Sequence, residues 1–194
     1  MDEHRNKLWT YDDLVAMDGE PDGNKYEIFD GELVVSPSPS FSHQEIVKRL
    51  FVALLEQVEK RRLATVHFAP LDVILSKTRV VQPDLLVIGM NQREIIAPHG
   101  VIGAPVLAIE VVSPGNASHD RVRKRRFYAR GGIREYWIVD PASYEIEVLG
   151  LVAGGLSYRQ TGWFGPGDTL TSPTFELAIA VNAVFDLPEA DAPP

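Results

Sequence analysis

Two apolar segments of the chain each carry one acidic residue, and this feature constrains the fold more than any other. Asp84 begins the apolar run that ends at Ile88, and Glu110 lies within a second run, residues 105–113. Short runs rich in Val, Ile and Leu predict buried strands. A carboxylate among such side chains carries a desolvation penalty unless a positive partner compensates it. The simplest partner for both acids is a bound divalent cation.

A lysine follows the second segment at a distance that suits the same site. Lys124 lies fourteen residues after Glu110, inside the basic segment 121–126. If a short helix follows the second strand, two carboxylates and one lysine converge, which is the minimum set for metal-assisted phosphodiester hydrolysis. Each residue also has an alternative. Asp84 alternatively caps a turn after Pro83. Glu110 alternatively pairs with an arginine of the following helix. Lys124 is alternatively one more solvated residue of a basic face.

Composition favours one soluble domain. The chain has 194 residues, of which 45% are hydrophobic, and this suits a single domain with a sizeable core over residues 1–187. The absence of cysteine removes disulfides and thiolate zinc sites. The first residues lack the apolar core of a signal peptide, and no apolar run approaches the roughly 18 residues of a membrane span. We therefore expect a cytoplasmic protein without a membrane segment, and a disordered tail over residues 188–194.

Charge is distributed unevenly along the chain. The net charge is −8, which argues against a general, sequence-blind attraction to nucleic acid. Between residues 120 and 134, however, one acid stands among seven basic side chains. They are Asp120 and Arg121, Arg123, Lys124, Arg125, Arg126, Arg130 and Arg134. A basic strip on an acidic body could hold a phosphate backbone beside a metal site, and the alternative is a solvated helix face.

Local patterns predict a hairpin and a long helix in the first third of the chain. The Asp30-Gly31 dipeptide between the apolar segments 26–29 and 32–35 indicates a hairpin with a type I′ turn. A capping box that begins at Ser42 predicts a helix over residues 42–62. An earlier capping pattern predicts a short helix that begins after Thr10.

Apolar runs separated by Pro, Gly or polar turns predict further strands. Four of them are expected in one sheet, over residues 64–69, 72–76, 84–88 and 106–112. The remaining patterns predict a helix over 118–130, a strand over 135–139 and a second hairpin over 144–149 and 156–161. Residues 175–185 fit either a helix or a strand. We interpret Tyr128, Tyr136 and Trp137 as packing residues rather than base-stacking platforms.

In their order and spacing, these motifs resemble the PD-(D/E)XK nuclease superfamily and, within it, the restriction-endonuclease-like bacterial family called Uma-two. The resemblance covers nearly the whole chain, and it rests on the set of short strings rather than on any one of them. The strings are Tyr26-Glu27-Ile28, Asp30-Gly31-Glu32-Leu33, His43, Pro83-Asp84, Ala104-Pro105, Glu110-Val111-Val112-Ser113-Pro114, Asp120, Lys124, Tyr128 and Glu135-Tyr136-Trp137-Ile138-Val139-Asp140-Pro141.

The resemblance implies an α/β (α+β) fold, in which helices flank a mixed central β-sheet and β-hairpins are added at both ends. It also implies that Asp84 and Glu110 hold Mg²⁺ or Mn²⁺, with the main-chain carbonyl of Val111 as a further ligand. Ligation by carboxylate, carbonyl and water suits such hard cations.

The chain departs from the superfamily motif at its lysine. In the superfamily this lysine lies two residues after the acid, on the same strand face, and here that position is Val112. The superfamily also tolerates a lysine on the next helix. Lys124 is the substitute, because Asp120, Lys124 and Tyr128 are spaced by four and share one stripe of the predicted helix.

The function implied is that of a metal-dependent endonuclease that hydrolyses DNA phosphodiester bonds. Asp84, Glu110 and Lys124 are the main catalytic candidates, and Glu32 and His43 are secondary ones. Three arginines of the basic segment are the candidates for contacts to DNA phosphates, namely Arg121, Arg123 and Arg126.

An alternative function remains open. Val112 and the acidic net charge also suit a catalytically silent module that keeps the nuclease fold and binds nucleic acid or protein. By analogy with nucleases that cut duplexes with two active sites, we expect a homodimer.

Overall fold

The computed structural model describes residues 7–17, 23–113 and 117–187. In the helix that begins at Ala117, it describes side chains from residue 122 onward. The predicted tail, 188–194, and the side chain of Arg121 therefore lie outside the described residues. The helices are α1 (Tyr11–Ala16), α2 (Phe41–Leu54), α3 (Ala117–Gly131) and α4 (Val181–Phe185). A π-helical turn, Leu55–Glu59, continues α2, and a 3₁₀-helix spans Met90–Ile95.

The strands fall into two mixed sheets and one short ribbon. In chain order they are β1 (Lys25–Phe29), β2 (Glu32–Ser36), β3 (Ala64–Phe68), β4 (Val73–Ser76), β5 (Arg79–Val81), β6 (Leu85–Gly89), β7 (Ile96–Ala97), β8 (Gly100–Ile102), β9 (Leu107–Val111), β10 (Glu135–Asp140), β11 (Glu145–Leu151), β12 (Tyr158–Phe164), β13 (Thr169–Leu170) and β14 (Ile179–Ala180).

The central sheet has the order β12-β11-β10-β9-β6-β3, and β9 and β10 are its parallel pair. Helix α3 is the crossover between these two strands, as parallel neighbours require. The other pairs are antiparallel. The expected mixed α+β fold with flanking helices is confirmed, and so is the C-terminal hairpin, which is formed by β11 and β12.

The second sheet has the order β2-β1-β5-β4-β8-β7. It contains the N-terminal hairpin, whose turn residues Asp30 and Gly31 have φ of 51° and 87°. Both values suit the type I′ turn that the sequence predicts. The prediction that residues 72–76 join the central sheet is wrong, because β4 pairs with β5 and β8 in the second sheet.

The N-cap of helix α2 lies two residues earlier than predicted. Its N-cap is Ser40, whose hydroxyl accepts from the His43 main-chain N–H at 3.3 Å, so Ser42 lies inside the first turn. Regular α-helix ends at Leu54, and the chain continues as the π-helical turn rather than as α-helix to residue 62.

The two faces of the central sheet bury different partners. Helix α2 packs Ile46 and Leu50 against one face, where Leu85 lies. Helix α3 packs Tyr128 against the other face, where Leu86 lies, and the second sheet covers part of this face. Burying one such side chain stabilises the fold by roughly 1.5–3 kcal/mol. Within the described ranges, each helix is too short or too polar to cross a membrane.

Candidate active site

Strand register places the two predicted acids opposite each other. In the antiparallel pair β6 and β9, Leu85 is opposite Ile109 and Leu86 is opposite Ala108. One residue further, the same register sets Asp84 against Glu110. Side chains alternate along a strand, so both acids share the face of Leu86 and Ala108, which is the face that α3 covers. The end of β9 also holds Asp84 directly, because the main-chain N–H of Val111 donates to its Oδ2 at 2.8 Å.

Asp84 is an ionised carboxylate held from several sides. Nε2 of His43 lies 3.1 Å from Asp84 Oδ2, and the first turn of α2 brings the imidazole there. Burial raises the pKa of Asp84, but the His43 hydrogen bond, the Lys25 ammonium and the Val111 N–H outweigh burial and lower the pKa to about 2. Nδ1 of His43 is buried without a hydrogen-bond partner among the described residues.

Glu110 is buried under two side chains of α3. Lys124 Nζ lies 3.0 Å from Glu110 Oε2, and the Tyr128 hydroxyl donates a short hydrogen bond to Oε1. The i, i+4 spacing places both groups on one helix face. Burial raises the pKa of Glu110 and outweighs the lowering effect of Lys124 and Lys25. Burial, followed by the charge of Glu110, also holds the pKa of Tyr128 well above 10.0.

Strand β1 brings a third acid that the sequence-based site did not include. Glu27 is buried, its Oε1 accepts from the Gln82 N–H at 2.9 Å, and its Oε2 lies 3.5 Å from Lys124 Nζ. A signal for Glu27 was present, since it stands between Tyr26 and Ile28 in one of the family-like strings. What the string does not reveal is that β1 of the second sheet lies over the central sheet.

Lys25 is the second residue that the sequence analysis missed. Its ammonium lies 3.8 Å from Glu27, 3.7 Å from Asp84 and 3.8 Å from Glu110. Burial lowers the pKa of Lys25, but the charges of Glu110 and Glu27 outweigh burial and raise it. Lys25 and Glu27 are two residues apart on β1, which places both on one face of that strand.

The structure brings together four of the five predicted catalytic residues, and their roles stay predictions. Asp84, Glu110, Lys124 and His43 form one cluster. Glu32 was expected to join them, and the structure places it elsewhere. Its side chain is 67% exposed, because β2 is the edge strand of the second sheet. There Glu32 accepts a hydrogen bond from the Arg123 guanidinium at 2.8 Å.

The predicted phosphate-binding arginines have different surroundings. Arg123 pairs with Glu32 and lies over the Phe29 ring at 4.6 Å, so its charge is partly neutralised. Arg126 is exposed.

Val112 packs in the apolar cluster beneath α3, on the face of Glu110, as its position two residues along the chain requires.

The similarity of the whole chain to known proteins can now be added to this geometry. The family Uma2, described as "Putative restriction endonuclease", matches residues 11–183. The chain belongs to the Uma2 family. A crystal structure of a "putative nuclease belonging to DUF820" from Anabaena variabilis has the same fold, with a TM-score of 0.74. The two chains are 19% identical, and the match covers 91% of this chain and 97% of the other. Among curated proteins, none matches the sequence.

The donor set of this Uma2 member fits a hard divalent cation. Carboxylate oxygens of Asp84 and Glu110 each lie within 4 Å of one cationic nitrogen, Lys25 Nζ. Mg²⁺ typically takes one or two protein carboxylates and keeps several waters. In the described part of the chain, no group of three or more His, Cys, Asp or Glu side chains forms a metal cage. A cation here would therefore bind two carboxylates and complete its shell with main-chain oxygen and water.

Proposed function

We propose that the protein is a divalent-cation-dependent endonuclease that hydrolyses DNA phosphodiester bonds. The observation that carries this proposal is the placement of Asp84 opposite Glu110, with the Lys124 ammonium 3.0 Å from Glu110. The family description and the fold of the A. variabilis protein support it. An acid pair and a lysine at one sheet edge are what phosphodiester hydrolysis with a cation needs.

Asp84 and Glu110 would hold the cation, Mg²⁺ or Mn²⁺, with the main-chain carbonyl of Val111 as a further ligand. When bound, such a cation neutralises charge on the scissile phosphate and makes water a stronger nucleophile. His43 and the Val111 N–H fix the carboxylate of Asp84 and keep it ionised. Ionised Asp84 is then ready to bind a cation without first losing a proton.

Lys124 is the proposed stabiliser of transition-state charge. Its side chain is 9% exposed and reaches Glu110 from α3, where it compensates for the apolar Val112. From this position its ammonium can donate to an oxygen of the scissile phosphate or orient the attacking water. Tyr128 positions the same carboxylate from the next turn of the helix by donating to Glu110.

The net charge of the acids and lysines at the site favours the binding of a divalent cation. With all five groups ionised, the three carboxylates of Glu27, Asp84 and Glu110 outnumber the two ammonium groups of Lys25 and Lys124. One negative charge is left in a partly desolvated place. With a divalent cation bound, this negative charge would be offset, and the site would no longer repel a DNA phosphate.

The DNA backbone would lie along the outer surface of α3. Arg126 is exposed there and can bind a phosphate beside the scissile one. Arg121 has the same proposed role by its position on this helix. Arg123 would have to exchange Glu32 for a phosphate, so we assign it a smaller share of the binding free energy.

The variant Asp84→Asn tests the proposal, because it keeps the shape of the side chain and removes the charge. We expect the Mg²⁺-dependent nicking of supercoiled plasmid to fall by a factor of about 10² to 10³. Asp186→Asn, which changes an exposed acid beside Arg49, should leave nicking unchanged. Unchanged nicking by Asp84→Asn, or nicking by the unaltered protein in EDTA, would contradict the proposal.

A second candidate function is that of a catalytically silent module that binds nucleic acid or protein. The observation that favours it is the pairing of cationic groups with the protein's own acids, Lys124 with Glu110 and Arg123 with Glu32. The two candidates differ in one assay. Retention of DNA in a gel shift, with no nicking at millimolar Mg²⁺ or Mn²⁺, would favour the silent module.

A further inference from the structure

Lys25 occupies an unusual position between the acids of the site. Its Nζ is almost equidistant from three carboxylates, 3.8 Å from Glu27, 3.7 Å from Asp84 and 3.8 Å from Glu110. All three distances exceed the roughly 3.5 Å limit of a hydrogen bond. The ammonium is thus attracted by three charges without being fixed by close contact to any of them.

Lys124 differs from Lys25 in its distance to the nearest carboxylate, in its exposure and in the element that carries it. It lies 3.0 Å from Glu110, its side chain is 9% exposed, and it extends from a helix that also carries Tyr128. The side chain of Lys25 is 20% exposed and extends from the first residue of β1. A lysine side chain is a flexible four-carbon stem that ends in a compact, strongly hydrated ammonium group. Because none of the described carboxylates lies within hydrogen-bond distance of it, the Lys25 ammonium can move to solvent.

We propose that Lys25 is an exchangeable internal counter-ion, which lies between the carboxylates in the cation-free protein and is displaced when a divalent cation binds. This inference rests on the cation site of the proposed function, but it does not depend on cleavage. Three carboxylates this close repel one another, and the repulsion is large where water is partly excluded. The Lys25 ammonium offsets that repulsion and keeps the acids in position. A divalent cation then takes the place of the Lys25 ammonium. The carboxylates that bind it are already in position before it arrives.

Competition has a measurable consequence for cation affinity. A protein whose site is occupied by its own ammonium binds the cation less tightly than one in which the site is open. We expect Lys25→Met to lower the dissociation constant for Mn²⁺ by a factor of about 10 or more, measured by calorimetry or by the electron paramagnetic resonance of free Mn²⁺. The cation-free variant should also melt at a lower temperature than the cation-free unaltered protein, and saturating Mn²⁺ should remove this difference.

Two variants control for the loss of charge. Lys25→Arg keeps the positive charge and should bind Mn²⁺ about as tightly as the unaltered protein. Lys48→Met removes an exposed lysine that pairs with Glu45 on α2, and it should leave the Mn²⁺ affinity unchanged. Equal Mn²⁺ affinity of Lys25→Met and the unaltered protein, or weaker binding by Lys25→Met, would overturn the inference and leave the cation site standing. A failure of both proteins to bind Mn²⁺ would overturn the inference and the proposed function together.

A measurement on the unaltered protein covers the case in which Lys25→Met does not fold. Brief acetylation followed by mass spectrometry reports how accessible each lysine is. We expect acetylation of Lys25 to rise several-fold in saturating Mn²⁺, whereas Lys48 is modified equally in both states. If Lys25 is equally unreactive with and without bound Mn²⁺, the ammonium does not leave the carboxylates and the inference is wrong.

Discussion

Two neighbouring strands of the central sheet each bury a glutamate, and the two glutamates have different partners. Glu110 on β9 faces α3, where the ammonium of Lys124 and the hydroxyl of Tyr128 meet it. Glu135 on β10 lies on the same side of its strand as Trp137, against the other face. Its carboxylate accepts from Trp137 Nε1 at 2.6 Å and from the Ser172 hydroxyl at 2.9 Å.

Burial raises the pKa of both carboxyl groups, so neither burial nor a perturbed pKa distinguishes them. The kind of partner does. Neutral donors satisfy Glu135 and tie the segment that contains Ser172 to the sheet, which is a structural task. Glu110 lies close to two lysines and two further acids. Burying so many charged groups together lowers stability unless a bound cation or phosphate compensates for the cost. Concentrated charge, rather than a buried acid alone, is what distinguishes the proposed functional face.

The largest expected effect separates the two glutamates by activity. Glu110→Gln keeps the size of the side chain and removes the charge that the cation needs, so cation-dependent cleavage should fall by about 10³-fold or more. Glu135→Gln makes the same chemical change on the other face and should alter cleavage by less than about twofold. Plasmid nicking per folded protein measures both. A similar loss in both variants would erase the distinction between the faces.

The next effect concerns the lysine of the functional face. Lys124→Ala should lower the turnover number by a factor of about 10² to 10³, because it removes the proposed stabiliser of transition-state charge. Mn²⁺ binding should stay nearly intact, since Lys124 is not one of the proposed cation ligands. Lys60→Ala, an exposed lysine paired with Glu56, serves as the control. Undiminished turnover of Lys124→Ala would reduce the lysine to a structural counter-charge.

A smaller effect tests the structural role of Glu135 through pH. Burial raises the Glu135 pKa above 4.5, so the folded state keeps this proton to a higher pH than the unfolded state does. The stability that this group contributes is complete below pH 4.5 and is lost as the pH rises through the raised pKa. Glu135→Gln removes that loss. Urea unfolding at a series of pH values from 4.5 upward should show the variant gaining stability relative to the unaltered protein as the pH rises. A constant difference across this range would contradict the assignment.

The smallest effect concerns DNA affinity at the surface of α3. Arg126→Ala should reduce the slope of log affinity against log salt by about 1, because one phosphate contact is lost. Arg123→Ala should change the slope less, since Glu32 already neutralises part of the charge of this arginine. Glu32→Gln frees Arg123 and should tighten DNA binding a few-fold. Fluorescence anisotropy over a salt series measures all three, and equal slopes for the two arginine variants would show that the Glu32 pair does not matter.

The sequence was sufficient for the parts of the site that follow from local periodicity. Acids at the ends of two apolar runs predict Asp84 and Glu110 on one face once the runs pair in register. A spacing of four on one helix predicts that Lys124 and Tyr128 approach together. The Asp-Gly turn of the first hairpin also required only local chemistry, because few dipeptides tolerate positive φ at both positions.

The sequence was insufficient where two sheets meet. Lys25 and Glu27 reach the site because β1 lies over the central sheet, and the packing of one sheet on another leaves no mark on the local pattern. For the same reason, the sequence predicts the wrong sheet for the short apolar run of β4. Ser40 and Ser42 are equally good N-caps by residue type, and the path of the chain into α2 decides between them.

The most direct test of the account is a crystal of the protein soaked in Mn²⁺, with anomalous diffraction measured at the manganese edge. We expect a peak between the carboxylates of Asp84 and Glu110, with ligand distances of about 2.1–2.2 Å. The peak should disappear in crystals of Glu110→Gln and persist in crystals of Glu135→Gln. Ordered, accessible carboxylates without a peak, or a peak bound by other residues, would show that these two strands do not hold the cation.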